Sequence, residues 1–202
     1  MAVGYEYLTY TLPRGRAGWT EFASYVRNTI APALTSGVEL LGLFSPQLGF
    51  ASNEGVVFVR RGSSASLPNV LLEPATAALT THDRLHATVR PGVSDRLKQG
   101  GIYVHRWFCI DGERVEEFVD LSNRAWSGFE GAYDTEIFGL FRVEPNETDL
   151  AEGAARLLLL TWYKIHAVWE ASREQAHDTK SLFAQRHQLT RATIGKSSVR
   201  VL

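Results

Sequence analysis

The 202-residue chain carries 21 basic and 22 acidic side chains, a formal net charge of −1, so it lacks the cationic excess with which nucleic-acid binders neutralise phosphate. Hydrophobic residues make up 45%, enough for a globular core, and the absence of a long apolar run excludes a membrane-spanning helix. Cys109 is the only cysteine, which rules out an intrachain disulfide, and with no leader pattern visible the expected address is cytoplasmic.

Residues 5–12 are rich in aromatic and β-branched side chains and end at Pro13-Arg14-Gly15, which predicts a strand. Trp19, Phe22, Ala23, Val26 and Ile30 then recur at helical spacing, with Gly37 as the expected C′ residue and Pro32 bending the last turn. Strands are predicted over 38–44 and 56–60, a shorter helix over 71–85 and a closing strand over 85–90. The loop 92–101 leads into a second series that opens with a strand over 103–110. Its helix carries Val115, Phe118, Val119 and Trp126 on a stripe that Ser122 interrupts. Strands over 135–143 and 156–163 follow, joined by an acidic loop, 144–153, expected to be solvated surface. A long polar helix over 165–187, with Trp169, Ala176 and Phe183 on one side, precedes a last strand over 189–194.

The two series are copies. Leu41-Gly42-Leu43-Phe44 recurs 97 positions later as Phe138-Gly139-Leu140-Phe141, Glu21-Phe22 recurs 96 later as Glu117-Phe118, and Tyr5 and Tyr103 stand 98 apart. Each copy reads β-α-β-β-α-β, the ferredoxin-like motif. The expected fold class is therefore α+β: tandem duplicated ferredoxin-like units, 1–91 and 102–202, forming a dimeric α/β-barrel-type fold. In such a fold the two sheets bury their open faces against each other.

Tyr5-Glu6-Tyr7-Leu8-Thr9-Tyr10-Thr11-Leu12, a glycine-containing turn, a helix and then Leu40-Leu41-Gly42-Leu43-Phe44 resemble the NIPSNAP family of the dimeric α/β-barrel superfamily. Tyr7 and Leu8 stand where that family carries leucine and arginine. The second copy keeps the arginine as Arg106 and has Val104 in place of the glutamate, and Leu189-Thr190-Arg191-Ala192-Thr193 resembles the family's terminal strand. The resemblance implies the fold. It leaves the activity open, because relatives on this barrel include monooxygenases, cyclases, decarboxylases, haem enzymes and proteins without known chemistry.

Strand parity divides residues 103–110 into Tyr103, His105, Trp107 and Cys109 on one face and Val104, Arg106, Phe108 and Ile110 on the other. The first set, with Tyr5, Tyr7, Thr9 and Thr11 beside it, has more hydrogen-bonding groups and is expected to line a pocket between the two sheets; the second is expected to pack under helices. His105 is the nominated general acid or base and Tyr7 the oxyanion partner, with Trp107, Tyr103, Tyr5 and Trp162 holding substrate. Glu136 and Arg142 share a strand face and could orient a carboxylate or enolate, although a surface ion pair is the plainer reading. His82 and His86 would share a face if helical, but no third metal ligand is identifiable, and no metal is expected. Cys109 has only His105 near it in sequence. Haem would need an axial histidine on a helix, with His166 and His177 as candidates.

No nucleotide-binding, serine-hydrolase or C-x-x-C motif is present. The function expected is a cyclase, isomerase or cofactor-independent monooxygenase acting on an apolar or aromatic carbonyl compound. The alternatives are a non-catalytic NIPSNAP-like module binding a lipid-like ligand or a protein, and a haem-binding barrel protein. The expected partner is an apolar or aromatic small molecule, with neither nucleic acid nor membrane, in a homo-oligomer.

Overall fold

Alternating aromatic and β-branched residues produce eight strands: β1 Val3–Thr11, β2 Val38–Leu48, β3 Glu54–Gly62, β4 Ala78–Ala87, β5 Ile102–Asp111, β6 Thr135–Val143, β7 Ala154–Tyr163 and β8 Thr190–Arg200. The computed structural model describes residues 3–174 and 179–202. Two compact units result, Met1–His86 with Ser197–Leu202, and Ala87–Lys196. Each follows the ferredoxin-like order, so the fold is α+β as the internal repeat indicated.

In the first unit the antiparallel order is β4-β1-β3-β2, and the end of β8 pairs with β2 from Phe44↔Arg200 to Leu48↔Ser197. Helix α1, Arg16–Tyr25, runs through a π-helical turn, Val26–Ile30, into α2, Ala31–Ala33. Pro32 sits in the first turn of α2, where a missing N–H is tolerated. The helix ends at Leu34, whose backbone is extended, so Gly37 is not its cap; with φ 85° it turns the chain into β2 instead. Phe22, Val26 and Ile30 enter a closed apolar core with Leu8, Tyr10, Leu43 and Val57, and the buried Tyr10 hydroxyl donates to the Leu71 carbonyl at 2.7 Å.

The helix expected over 71–85 is one turn only, α3 Asn69–Leu72, and β4 begins at Ala78. Pro74 disfavours helical geometry at Glu73, which adopts φ −130°. The following stretch pairs along β1 as Tyr5↔Leu85 and Tyr7↔Asp83. His82 and His86 therefore lie on a strand, where four residues span about 13 Å, too far to share a metal ion.

In the second unit the order is β8-β5-β7-β6. The free edge of β6 meets residues 88–90: the Thr88 N–H donates to the Leu140 carbonyl and the Leu140 N–H to the Arg90 carbonyl. A Cβ on Gly139 would stand 2.5 Å from Pro91 Cδ and 2.8 Å from the Arg90 oxygen, so only glycine admits this segment. The pairing register shifts between Leu40 and Gly42 in one copy and between Ile137 and Gly139 in the other. The repeated Gly-Leu-Phe is thus one β-bulge made twice.

Helix α4, Val115–Ala132, buries Val115, Phe118, Leu121, Ser122, Ala125, Trp126 and Phe129, while Glu116 and Glu117 complement its N-terminal dipole. The acidic loop 144–153 is not simply solvated. It folds α5, Glu147–Ala151, behind an Asn146/Asp149 capping box, and buried Asp149 pairs with Arg156 at 2.9 Å. The long helix is described as α6 His166–Glu174 and α7 Lys180–Gln188; Ala176 lies outside the described residues. Phe183 of α7 packs edge-on against Phe129 of α4 at 5.4 Å. Among the described residues no helix is long and apolar enough to cross a membrane.

Candidate functional site

Pleating sends Val104, Arg106 and Phe108 of β5 toward the helices, and Phe108 meets Phe118 of α4 with ring centroids 4.8 Å apart. A cavity of about 380 Å³ lies within the second unit, lined by residues of β5, β6, β7, α4, α6, α7 and β8. Val104, Phe108, Phe129, Ile137, Leu159 and Phe183 supply its apolar wall. Its polar side chains include four cations, Arg106, Arg173, Lys180 and Arg186, beside His187, Tyr163, Thr161, Ser172 and Thr193. Among the described residues no carboxylate lines it.

Arg186 is 8% exposed. Its guanidinium sits 5.2 Å over Phe108, 5.4 Å over Phe118 and 4.8 Å over Phe183, and donates to Ser122 Oγ at 3.3 Å. Cation–π contacts of this kind contribute about 0.5–2 kcal/mol each, less than desolvating a guanidinium costs. Burial first, and then Arg106, push Arg186 down to about 9, which leaves it charged at neutral pH. Ser122, the interruption in the apolar stripe, is therefore what lets α4 receive this cation; its own hydroxyl donates to the Phe118 carbonyl at 2.7 Å.

Burial also lowers Arg106, with Tyr163 opposing the shift and Arg173 adding to it. The Tyr163 hydroxyl is raised, by burial, against the pull of Arg106 and a hydrogen bond with Ser172. It stays protonated at neutral pH and can donate. Trp126 is 1% exposed, and its indole N–H has no partner among the described residues. A buried donor left unmatched costs about 1–3 kcal/mol, and on this cavity's wall the Trp126 N–H is one. The cavity thus sets an apolar wall against cationic, hydroxyl and indole donors.

The residues nominated from sequence fall elsewhere. His105 is fully buried on the opposite face of β5; burial, then Lys196, push its imidazole down to about 3, so the expectation that it titrates near neutrality does not hold. Tyr103 is buried and donates to the Lys98 carbonyl at 2.9 Å, and Trp107 and Cys109 are half-buried. Tyr5 and Tyr7, in the first unit, pack on Phe58 with centroids at 5.9 and 6.3 Å. Glu136 and Arg142 do not pair: Glu136 binds Lys98 at 2.7 Å, and Arg142 is exposed. Lys98 also covers the Trp162 ring at 4.4 Å, and the Trp162 N–H donates to the Gly100 carbonyl. Glu136 and Trp162 thus join through Lys98 in a surface cluster outside the cavity.

Arg106 and Arg186 are the residues that sequence reasoning assigned no role. The signal for Arg106 was present, since a lone cation broke an otherwise apolar strand face. Arg186 lies three residues beyond Phe183, on the same helical side, but one arginine in a polar helix carries no signal of burial.

Among the described residues the cavity offers haem no enclosed axial imidazole. The imidazole lining the cavity is that of His187, which is exposed and lies 3.5 Å from the Thr190 hydroxyl. His166 packs near Trp169, outside the lining, and His177 lies outside the described residues.

No protein-family model and no curated protein matches the sequence. Solved structures match the fold. A presumed monooxygenase of Fusobacterium nucleatum aligns with TM-score 0.65 and 10% identity, over 100% of this chain and 93% of its own. An anthrone oxidase-like protein aligns with TM-score 0.65 and 11% identity, over 98% and 92%. A Listeria monocytogenes ferredoxin-fold protein related to antibiotic biosynthesis monooxygenases aligns with TM-score 0.56 and 10% identity, over 100% and 96%. The chain shares with these structures the ferredoxin-like α/β-barrel type of fold. At these identities the likeness reaches no further than the fold, and function rests on the cavity.

Proposed function

We propose that the second unit is a cofactor-independent monooxygenase site for an aromatic carbonyl compound that reacts as its enolate or phenolate. The observation that carries this reading is a group of donors, buried Arg186, Tyr163 and Trp126 with half-buried Arg106, facing an apolar cavity whose described lining includes no carboxylate. Such a site stabilises negative oxygen more than its neutral parent, and so favours loss of a proton from the activated carbon. Monooxygenase-like proteins among the structural neighbours support the choice of oxidation over cyclisation or isomerisation.

The chemistry balances without a bound cofactor. The activated methylene loses a proton, by way of exposed His187 at the wall, to solvent. Its carbanion adds dioxygen, a C–O bond forms, and the peroxide anion takes back a proton from solvent; the hydroperoxide then loses its carbon-bound proton as the O–O bond breaks and water leaves. One methylene and one dioxygen thus give one ketone and one water, with the substrate as the reductant.

The test uses hydroxylated anthrones as probes. Oxygen uptake matched one to one by anthraquinone formation, and lowered by about 10²–10³ in Arg106→Leu, is the expected result. Turnover unaffected by Arg106→Leu would overturn the assignment.

A second reading, a NIPSNAP-like module that binds and does not turn over, is favoured by one observation. Among the described residues the imidazole on the cavity wall is that of exposed His187 rather than a buried, positioned one. Saturable quenching of Trp126 fluorescence by the anthrones, without oxygen uptake, would select it.

A further inference from the structure

The cations of the second unit's cavity stand in two tiers. Arg186 is buried and Arg106 half-buried, whereas Arg173 and Lys180 are exposed and so mark the open side. Arg173 lies in the last turn of α6, and Lys180 opens α7. Lys180, Phe183 and His187 recur along one side of α7 and line the cavity together with Arg186. Six residues separate Lys180 from Arg186, about 9 Å along the helix axis.

A solvated lysine or arginine is ordinary on a helix surface, but elsewhere in this chain exposed cations have carboxylates of their own. Lys98 takes Glu136 at 2.7 Å, Lys164 takes Asp134 at 2.9 Å, and Arg124 takes Asp120 at 3.1 Å. The mouth has the opposite balance, since no carboxylate is among the described lining. Lys180 adds its charge to the first turn of a helix that has no acidic residue there, where the dipole is already positive. Arg173 is close enough to Arg106 for their like charges to add to burial in lowering Arg106. Cations gathered in this way repel one another until an anion enters.

The two tiers suit different groups. The inner one is the place for the enolate or phenolate oxygen. At the mouth, the Arg173 fork can take both oxygens of a planar carboxylate, and the Lys180 ammonium adds a point charge to either of them. Bound there, partly in water, a carboxylate keeps its charge without the full desolvation that a second buried anion would suffer.

We infer that the ligand of this cavity is an aromatic acid, whose ring oxygen meets the inner tier and whose carboxylate, on an outer ring, meets Arg173 and Lys180. The inference rests on the proposed reading of the cavity as a site for an aromatic anion, and it names the feature by which the site selects among such molecules.

The experiment compares dithranol with rhein anthrone, the same dihydroxyanthrone carrying a carboxylate on one outer ring. Binding is read by quenching of tryptophan fluorescence under argon, at neutral pH and fixed ionic strength. The acid should bind about tenfold tighter, the worth of about one charge-assisted hydrogen bond. That preference should fall to near one in Arg173→Gln/Lys180→Gln, where both side chains are exposed and the melting temperature should hardly move. Arg14→Gln/Arg16→Gln removes the same charge from exposed positions of the first unit, outside the cavity lining, and should keep the preference. Equal binding of the two probes by the wild type would overturn the inference and leave the reading of the inner tier standing. So would a preference that survives in Arg173→Gln/Lys180→Gln, or one lost equally in Arg14→Gln/Arg16→Gln. Failure of both probes to bind overturns that reading, and the inference with it.

Discussion

Arg106 of β5 occupies the strand position that Leu8 occupies in β1: each follows the opening tyrosine of its copy by three residues and lies on the helix-covered face. Leu8 is wholly buried in a closed apolar core, whereas Arg106 borders an open cavity. The duplication provides an internal control, because strand and bulge are shared and the contents of the face differ. Arg106→Leu should therefore move the second unit toward the first. Stability should rise by about 1–4 kcal/mol, since a half-buried, desolvated cation facing no carboxylate among the described lining is exchanged for an apolar side chain. Binding of aromatic anions should be lost. Thermal melts with a fluorescence titration measure both, and a lower melting temperature with binding intact would make Arg106 a structural residue.

Trp126→Phe isolates the unpartnered indole N–H. The ring still fills its place beneath Arg90, whose guanidinium lies 5.2 Å from the indole centroid. Relief of an unsatisfied donor, about 1 kcal/mol, should roughly offset the lost ring area, so the melting temperature should hardly move. Affinity for an anionic aromatic probe should fall several-fold by calorimetry. Unchanged affinity would mean that the N–H never meets the ligand.

Most of the fold was legible because its signals were local. Aromatic and β-branched strands, the 3.6-residue stripe of α4 and the repeated Gly-Leu-Phe bulge each lie within a few residues of sequence. The failure over 71–85 was also local: Pro74 and the threonines that follow compete with helix, and pairing with β1 decides between them. The cavity was not legible in the same way. Parity correctly separated Arg106 and Phe108 from His105 and Trp107, but polarity is a poor guide to which face is open. The tyrosines of β1 and the imidazole of His105 are packed away, while the apolar-looking face of β5 leaves space because α7 inserts a cation, Arg186, where the first unit has only the single turn α3. That depends on contacts some eighty residues apart.

Glu6→Gln probes the carboxylate of the first unit, where hydrogen bonds from His82 and Arg61 outweigh burial. A carboxyl held below its ordinary value of 4.5 stabilises the fold above that pH and loses its contribution as pH falls through the lower folded value. The wild type should therefore lose stability below about pH 4.5 more steeply than Glu6→Gln. At pH 7 the variant should be less stable by about 1–3 kcal/mol, because Arg61 and His82 keep a weaker, uncharged acceptor. Parallel acid limbs in the two proteins would show that Glu6 is not the titrating group.

His105 gives the remaining prediction, and it decides between two roles for one imidazole. Its pKa falls from an ordinary 6.5 to about 3, through burial and then Lys196. A base depressed on folding contributes stability that is complete above the unfolded value and is lost as pH drops from there toward the folded one. The window is thus about pH 6.5 down to about 3, and within it one such group costs about 1 kcal/mol per pH unit. This window opens above that of Glu6, which begins only below about pH 4.5, so chemical denaturation at pH 7, 6 and 5 separates the two. His105→Gln keeps a polar side chain that does not titrate, and it should flatten the slope between pH 6.5 and 5 while leaving Glu6's acid limb in place. A general acid or base must exchange its proton near working pH, and an imidazole at about 3 stays neutral there. Turnover of the anthrone probes per folded molecule should therefore survive in His105→Gln. A fall of about 10²–10⁴ in turnover, with the pH slope of stability unchanged, would reverse the assignment and move the chemistry to the other face of β5.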